Sequence, residues 1–235
     1  MKVALCFSGQ ARSYKKGYPY YEHNLLSKQD VDVYIHTWAS RDDEETQEIY
    51  KELSSLYKPK NIIIQSPVSG EFIDNIYTNN PNPQRHPPRF TYSMLMSMYL
   101  CSKLLEESGE KYDWVIKSRT DYALNGVIPF EMMDNSKLYI PNCRMVPTKD
   151  FGNDQFAFSS QENMMKYMTT FNHIDEYYNA GNQFIGEDMM RANLHKHGLF
   201  GDKLEYVDMH NPFPPGPQNA TWHSLIRDDY QEWTK

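Results

Sequence analysis

Short apolar runs punctuate this chain, separated by stretches with a different period. Val3 to Phe7 is the first run, closed by Ser8-Gly9. Val31 to Trp38 follows, with Val31, Val33 and Ile35 alternating and Tyr34 and Trp38 adding bulk. Asn61 to Gln65 reads NIIIQ and stops at Ser66-Pro67. Trp114 to Ile116 leads directly into Lys117, Ser118, Arg119, Thr120 and Asp121. Continuous apolar runs this short predict strands buried on both faces, as in a parallel sheet. Between them the pattern turns helical. Lys15 to Ser27 carries it weakly. Asp42 to Leu56 opens on two acids and sets Ile49, Leu53 and Leu56 on one face. Thr91 to Ser108 carries it best, with Thr91 placed as a cap and Met94, Met98, Cys101 and Leu105 at helical spacing. The alternation predicts an α/β fold with a mainly parallel sheet.

Residues 67 to 90 interrupt the rhythm. NNPNPQRHPP is rich in Pro and Asn and predicts a loop or lid. Farther on, KLYIPN, DQFAFSS and LEYVDMH read as strands, and Gln161 to Phe171 and Gly186 to His197 as helices. NPFPPGP reads as a rigid loop. Nothing in the composition marks a linker or repeat, which predicts one domain over residues 1–235.

Composition narrows the function classes. The chain has 235 residues, 40% hydrophobic and 23% charged, enough for a sizeable core and too apolar for disorder. Lys+Arg total 24 against 31 Asp+Glu, giving a net charge of −7. A nucleic-acid surface needs a clustered cationic face, so none is expected. No run approaches the roughly 18 to 20 residues of a membrane span, and the first apolar run is too short for a signal-peptide core. The expected location is cytoplasmic. Cys6, Cys101 and Cys143 are odd in number and far apart in sequence, which predicts reduced thiols and no zinc spacing.

Ligands of open α/β sheets bind outside the carboxyl ends of the strands. That rule selects Ser8, Gly9, Gln10, Ala11 and Arg12 after the first run, His36, Thr37 and Trp38 in the second, Ser66 after the third, and Arg119, Thr120 and Asp121 after the fourth. Arg12 and Arg119 suit phosphate oxygens, because guanidinium is planar and binds two at once. Gly9 permits a close backbone approach. Neither a P-loop nor G-x-G-x-x-G is present, and an ordinary strand-to-helix turn accounts for SGQAR equally well. Asp121 facing a polyphosphate makes electrostatic sense with Mg²⁺ or Mn²⁺ between them. The competing reading pairs it with Arg119 or makes it a turn cap.

Taken together, ALCFSGQAR, YDWVIKSRTD, NDQFAFSS and GEDMMRANL resemble small GT-A-type glycosyltransferases, such as those of large DNA viruses and bacterial polysaccharide loci. The resemblance spans roughly residues 2 to 210. It implies a Rossmann-like three-layer fold with a smaller mixed β region, residues 1–124 forming the nucleotide-binding half and 125–235 the acceptor side. It implies transfer of a sugar from a UDP- or GDP-linked donor to a glycan or glycoprotein. SRTD stands where the family has its metal-binding D-x-D, with Arg119 in the first acidic position and Asp121 as the remaining ligand. Ser8, Gly9, Gln10, Arg12 and Arg119 would line the nucleotide. Asp154 would border the donor sugar and acceptor. GED would supply a general base, Asp188 first and Glu187 second. His210 would be a late metal ligand, with His223 its rival.

Plain readings stand beside these. Acids in the first turn of a helix complement its dipole without any catalytic role. The 18 tyrosines and four tryptophans suit sugar stacking and core packing alike. Met94, Met96, Met98, Met189 and Met190 read as core. Two other function classes remain open. A non-catalytic nucleotide- or glycan-binding module would explain the missing first acid of D-x-D. A metal-dependent phosphoesterase would want clustered His and Asp ligands, whereas here the histidines are scattered.

Overall fold

The computed structural model describes residues 1–39, 43–68, 70–81, 83, 86–141 and 152–207. Seven strands make one sheet: β1 (Lys2–Gln10), β2 (Asp30–Trp38), β3 (Asn61–Gln65), β4 (Trp114–Ser118), β5 (Leu138–Pro141), β6 (Ala157–Ser159) and β7 (Leu204–Val207). Their order is β3-β2-β1-β4-β6-β5-β7. The β3-β2-β1-β4 half is parallel throughout. β6 runs antiparallel to both β4 and β5, and β7 runs parallel to β5. The fold is therefore α/β with a mostly parallel sheet, and the chain reverses direction of assembly between β1 and β4.

The central strands are covered on both sides, which explains their apolar runs, whereas β3 at the edge has no buried residue and exposes Ile63, against the expectation for NIIIQ. One face packs Val3, Leu5, Phe7, Ile35, Trp114 and Ile116 against α1 (Tyr14–Tyr21) and α2 (Asp43–Tyr57). The other packs Ala4, Cys6, Tyr34 and Val115 against α3 (Glu71–Ile76), α4 (Pro88–Glu107), α5 (Gln161–Met168), α6 (Ile174–Asn179) and α7 (Gly186–Lys196). Each large apolar side chain buried this way contributes about 1.5 to 3 kcal/mol. Of the methionines singled out above, Met98, Met189 and Met190 are buried, Met94 packs against the core, and Met96 is only half-buried.

The structure corrects several boundaries. β1 continues through Gln10, and β4 through Ser118, because parallel neighbours supply backbone partners beyond the apolar residues. Thr91 does not cap α4. The helix starts at Pro88, whose fixed φ and missing N–H suit a first turn. Residues 67 to 90 are not all loop, since α3 lies among them and buries Ile73. DQFAFSS contributes strand only from Ala157, the helix expected over Gln161 to Phe171 ends at Met168 before a 3₁₀ turn at Thr170–His173, and the α6 that follows was not expected. Among the described residues, no helix is long and apolar enough to cross a membrane.

Candidate functional site

The reversal between β1 and β4 marks, at their carboxyl ends, the position of the crevice in which doubly wound sheets bind ligands. Four segments meet there. Register aligns Phe7 with Ser118, so the residues that follow leave the sheet side by side. The Thr120 hydroxyl donates to the carbonyls of Gln10 at 3.3 Å and Arg12 at 3.1 Å, tying the two ends together. Because β6 is antiparallel, its amino end and not its carboxyl end reaches this rim, bringing residues 153–156 with it. The first turn of α7 completes the set, with the Asp154 Oδ2 atom placed 3.2 Å from where a Cβ on Gly186 would stand.

α1 braces the end of β4 from one side. The Tyr21 and Ser118 hydroxyls lie 2.6 Å apart, and Asn24 donates to the Leu124 carbonyl at 2.7 Å. From the other side, Tyr122 stacks on Phe156 with ring centres 5.0 Å apart. Asn153 folds its own segment by accepting from the N–H groups of Gln155 and Phe156, and Tyr167 donates to its carbonyl at 2.5 Å. The charged side chains are thus carried on well-packed backbone.

β4 ends at Ser118 and the chain turns at Thr120 and Asp121, with the Tyr122 N–H donating to the Arg119 carbonyl at 3.2 Å. Arg119 grips Asp121 as a planar fork, Nε to Oδ1 at 2.8 Å and Nη2 to Oδ2 at 2.7 Å. The carboxylate is 1% exposed and the Arg119 side chain 23%. Burial opposes the Arg119 charge, yet Asp121 and then Asp154 hold its pKa above the ordinary value. Lys117 is fully buried, its ammonium donating to the Asp154 and Gln155 carbonyls. Burial, helped by the Arg119 charge, brings its pKa down to about 8, against the pull of Asp154 and Asp121.

The three candidate bases differ. Asp188 is ion-paired with Arg191 one turn on, at 3.2 Å. Glu187 sits among buried groups. Desolvation, then repulsion from Asp154, raises its pKa. Asp154 faces Lys117 and Arg119 on one side and Glu187 on the other. Two neighbouring carboxylates beside the buried Lys117 and the partly buried Arg119 are a grouping of the kind found at functional sites.

Ser8, Gly9, Gln10, Arg12, Arg119, Asp121, Asp154, Glu187 and Asp188 all belong to the four segments at this rim. Gly9 adopts φ 110° with open space before its Cα, a conformation that favours glycine. His36 and Thr37 are not rim groups. Both are buried, Thr37 donating to the Gly9 carbonyl at 2.8 Å and His36 packing its Nδ1 on the Ser97 hydroxyl at 2.8 Å. Ser97 also accepts from the Gly9 N–H at 2.7 Å, so α4 sets the exit angle of β1. His210 and His223 lie outside the described residues. The sequence reading passed over Lys117. Its alternation with Arg119 and Asp121 was the available signal.

The described residues do not fit a divalent metal. Both Asp121 oxygens are taken by Arg119, and no group of three or more His, Cys, Asp or Glu among the described residues is placed to hold an ion. Two open cavities, of about 370 and about 740 Å³, lie at the opposite edge, beside the amino ends of β3 and β4. Neither holds a buried charge, so the convergent charges and not the larger hollow locate the candidate site. No protein-family model matches the chain, and a search of curated proteins finds no significant match.

Proposed function

We propose that this protein is a glycosyltransferase of GT-A type, moving a sugar from a nucleotide-sugar donor to a glycan or glycoprotein hydroxyl. One observation carries the reading. The buried Lys117, the partly buried Arg119 and two neighbouring carboxylates, Asp154 and Glu187, meet at the strand-order reversal of a mostly parallel sheet. Sugar transfer from a diphosphate needs positive charge for the leaving group and a base for the incoming hydroxyl, and the rim offers both. The parallel half joined to a smaller mixed half also suits the layout that the resemblance implies.

In the inverting form of the reaction, the acceptor oxygen attacks the anomeric carbon. The bond from that carbon to the diphosphate oxygen breaks, and the electron pair leaves with the diphosphate. The hydroxyl proton passes to a carboxylate. Glu187 is the best placed, since desolvation raises its proton affinity. Asp188 is tied to Arg191, and Asp154 is bordered by cations. In the retaining form these carboxylates would stabilise an oxocarbenium-like state. Arg12, Ser8, Gly9 and Gln10 would hold the nucleotide along the end of β1. The resemblance implies Mn²⁺ or Mg²⁺ on Asp121 and His210, chemistry that would polarise the diphosphate; no step here is routed through it.

The test is release of nucleotide from UDP- and GDP-sugars, with and without carbohydrate acceptors. Glu187→Gln is expected to lower turnover by about 10²- to 10⁴-fold, and Asp188→Asn by less than about tenfold. Arg119 in place of an acid favours a second reading, a binding module without turnover. Saturable nucleotide binding with no hydrolysis or transfer of any donor would establish that reading instead.

A further inference from the structure

The fork between Arg119 and Asp121 bears on how a diphosphate would be held, given the nucleotide-sugar reading of this rim. An ion bound to Asp121 would have to displace a guanidinium from both oxygens of a carboxylate that is 1% exposed. It would then stand beside the displaced charge, with Lys117 close behind. Like charges in a desolvated site repel strongly. Meanwhile the fork uses two of the five guanidinium N–H donors, and the others have no partner among the described residues. A neutralised, aimed guanidinium with a free edge is a binding group for phosphate oxygens.

We propose that Arg119, backed by Lys117, takes the place of the divalent ion, so that the donor's diphosphate binds and departs without metal. Asp121 is then a positioning residue. It holds the guanidinium in one plane through two bonds and leaves the remaining N–H donors for a ligand, while Thr120 fixes the loop to the end of β1. The charge balance is met locally: Asp121 answers Arg119, and Asp154 partly answers Lys117.

Calorimetric titration of the full chain with UDP, GDP and inorganic pyrophosphate, first in EDTA and then in excess Mn²⁺, tests this. The preferred ligand is expected to bind within about threefold of the same affinity in both. Arg119→Met should weaken it by about 10- to 100-fold, with Arg119→Lys recovering part. Asp121→Asn should weaken binding equally in EDTA and in Mn²⁺, an effect that general destabilisation, checked by thermal melting, would not give in a folded variant. Affinity that rises tenfold or more with Mn²⁺, a gain abolished by Asp121→Asn, overturns the inference and leaves the transferase reading standing. Absence of binding to all three ligands in both conditions overturns both.

Discussion

His36 is fully buried beneath α4, and its Nε2 atom, turned toward Gln65, makes no hydrogen bond of good geometry. Desolvation lowers its pKa from 6.5 to about 4. In that interval the unfolded chain binds the proton and the folded chain does not. Stability from this group is full above the unfolded value and is lost as pH falls through the window, by about 3 kcal/mol in all. Urea unfolding measured from about pH 7 down to about pH 4 should show this loss. His36→Gln, which keeps an amide within reach of Ser97, should shrink the acid loss by a comparable amount. An identical loss in the variant would remove His36 as its source. At this scale the sequence placed Ser8, Gly9, Arg12 and Asp121 at strand ends, set the buried His36 and Thr37 there in error, and left every partner open. Asp121 was legible as a carboxylate two positions from an arginine. Its choice of guanidinium over solvent depends on burial, to which α1 and Phe156, both remote in the chain, contribute.

Among elements, α1 decides where the end of β4 lies. Gly17 packs so closely that a Cβ there would meet the Thr120 carbonyl oxygen at 2.3 Å, a backbone atom with little room to retreat. Gly17→Ala is expected to destabilise the fold by about 1 to 3 kcal/mol and to lower nucleotide affinity by shifting the Arg119 fork. Denaturant unfolding and titration of the same variant check both, and a variant as stable as the parent would show that α1 does not brace the loop. Strands β1, β2 and β4 were readable because burial on both faces demands apolar residues, and β3, an edge strand with no buried residue, because its isoleucines are β-branched. The helix α3 was hidden among prolines and asparagines, where six residues leave no periodicity to detect. The direction of β6 was equally hidden. Three residues of strand encode no polarity, yet that polarity is what delivers Asp154 to the crevice.

For the molecule as a whole, the alternation of runs gave the α/β class, while the joining of the mixed half to β4 came only from tertiary pairing. The net charge of −7 sits on a structure whose candidate site gathers cations inside it. An anionic ligand approaching that surface meets general repulsion and local attraction, so its association rate should rise modestly with salt, against the fall usual for cationic clefts. Stopped-flow binding of a nucleoside diphosphate at several ionic strengths checks this, and a steep fall with salt would refute it.

The thiols of Cys6 and Cys101, one on β1 and one on α4, are both buried, and the neighbouring Cys101 thiol, followed by burial, pushes the Cys6 pKa well up. They straddle the seam between the central strand and its longest covering helix. A chromogenic disulfide reagent reaches neither without prising that seam apart. With Cys143 replaced by serine, the pace of colour release becomes a stopwatch for global opening, and any occupant of the crevice that clasps the molecule shut should slow it.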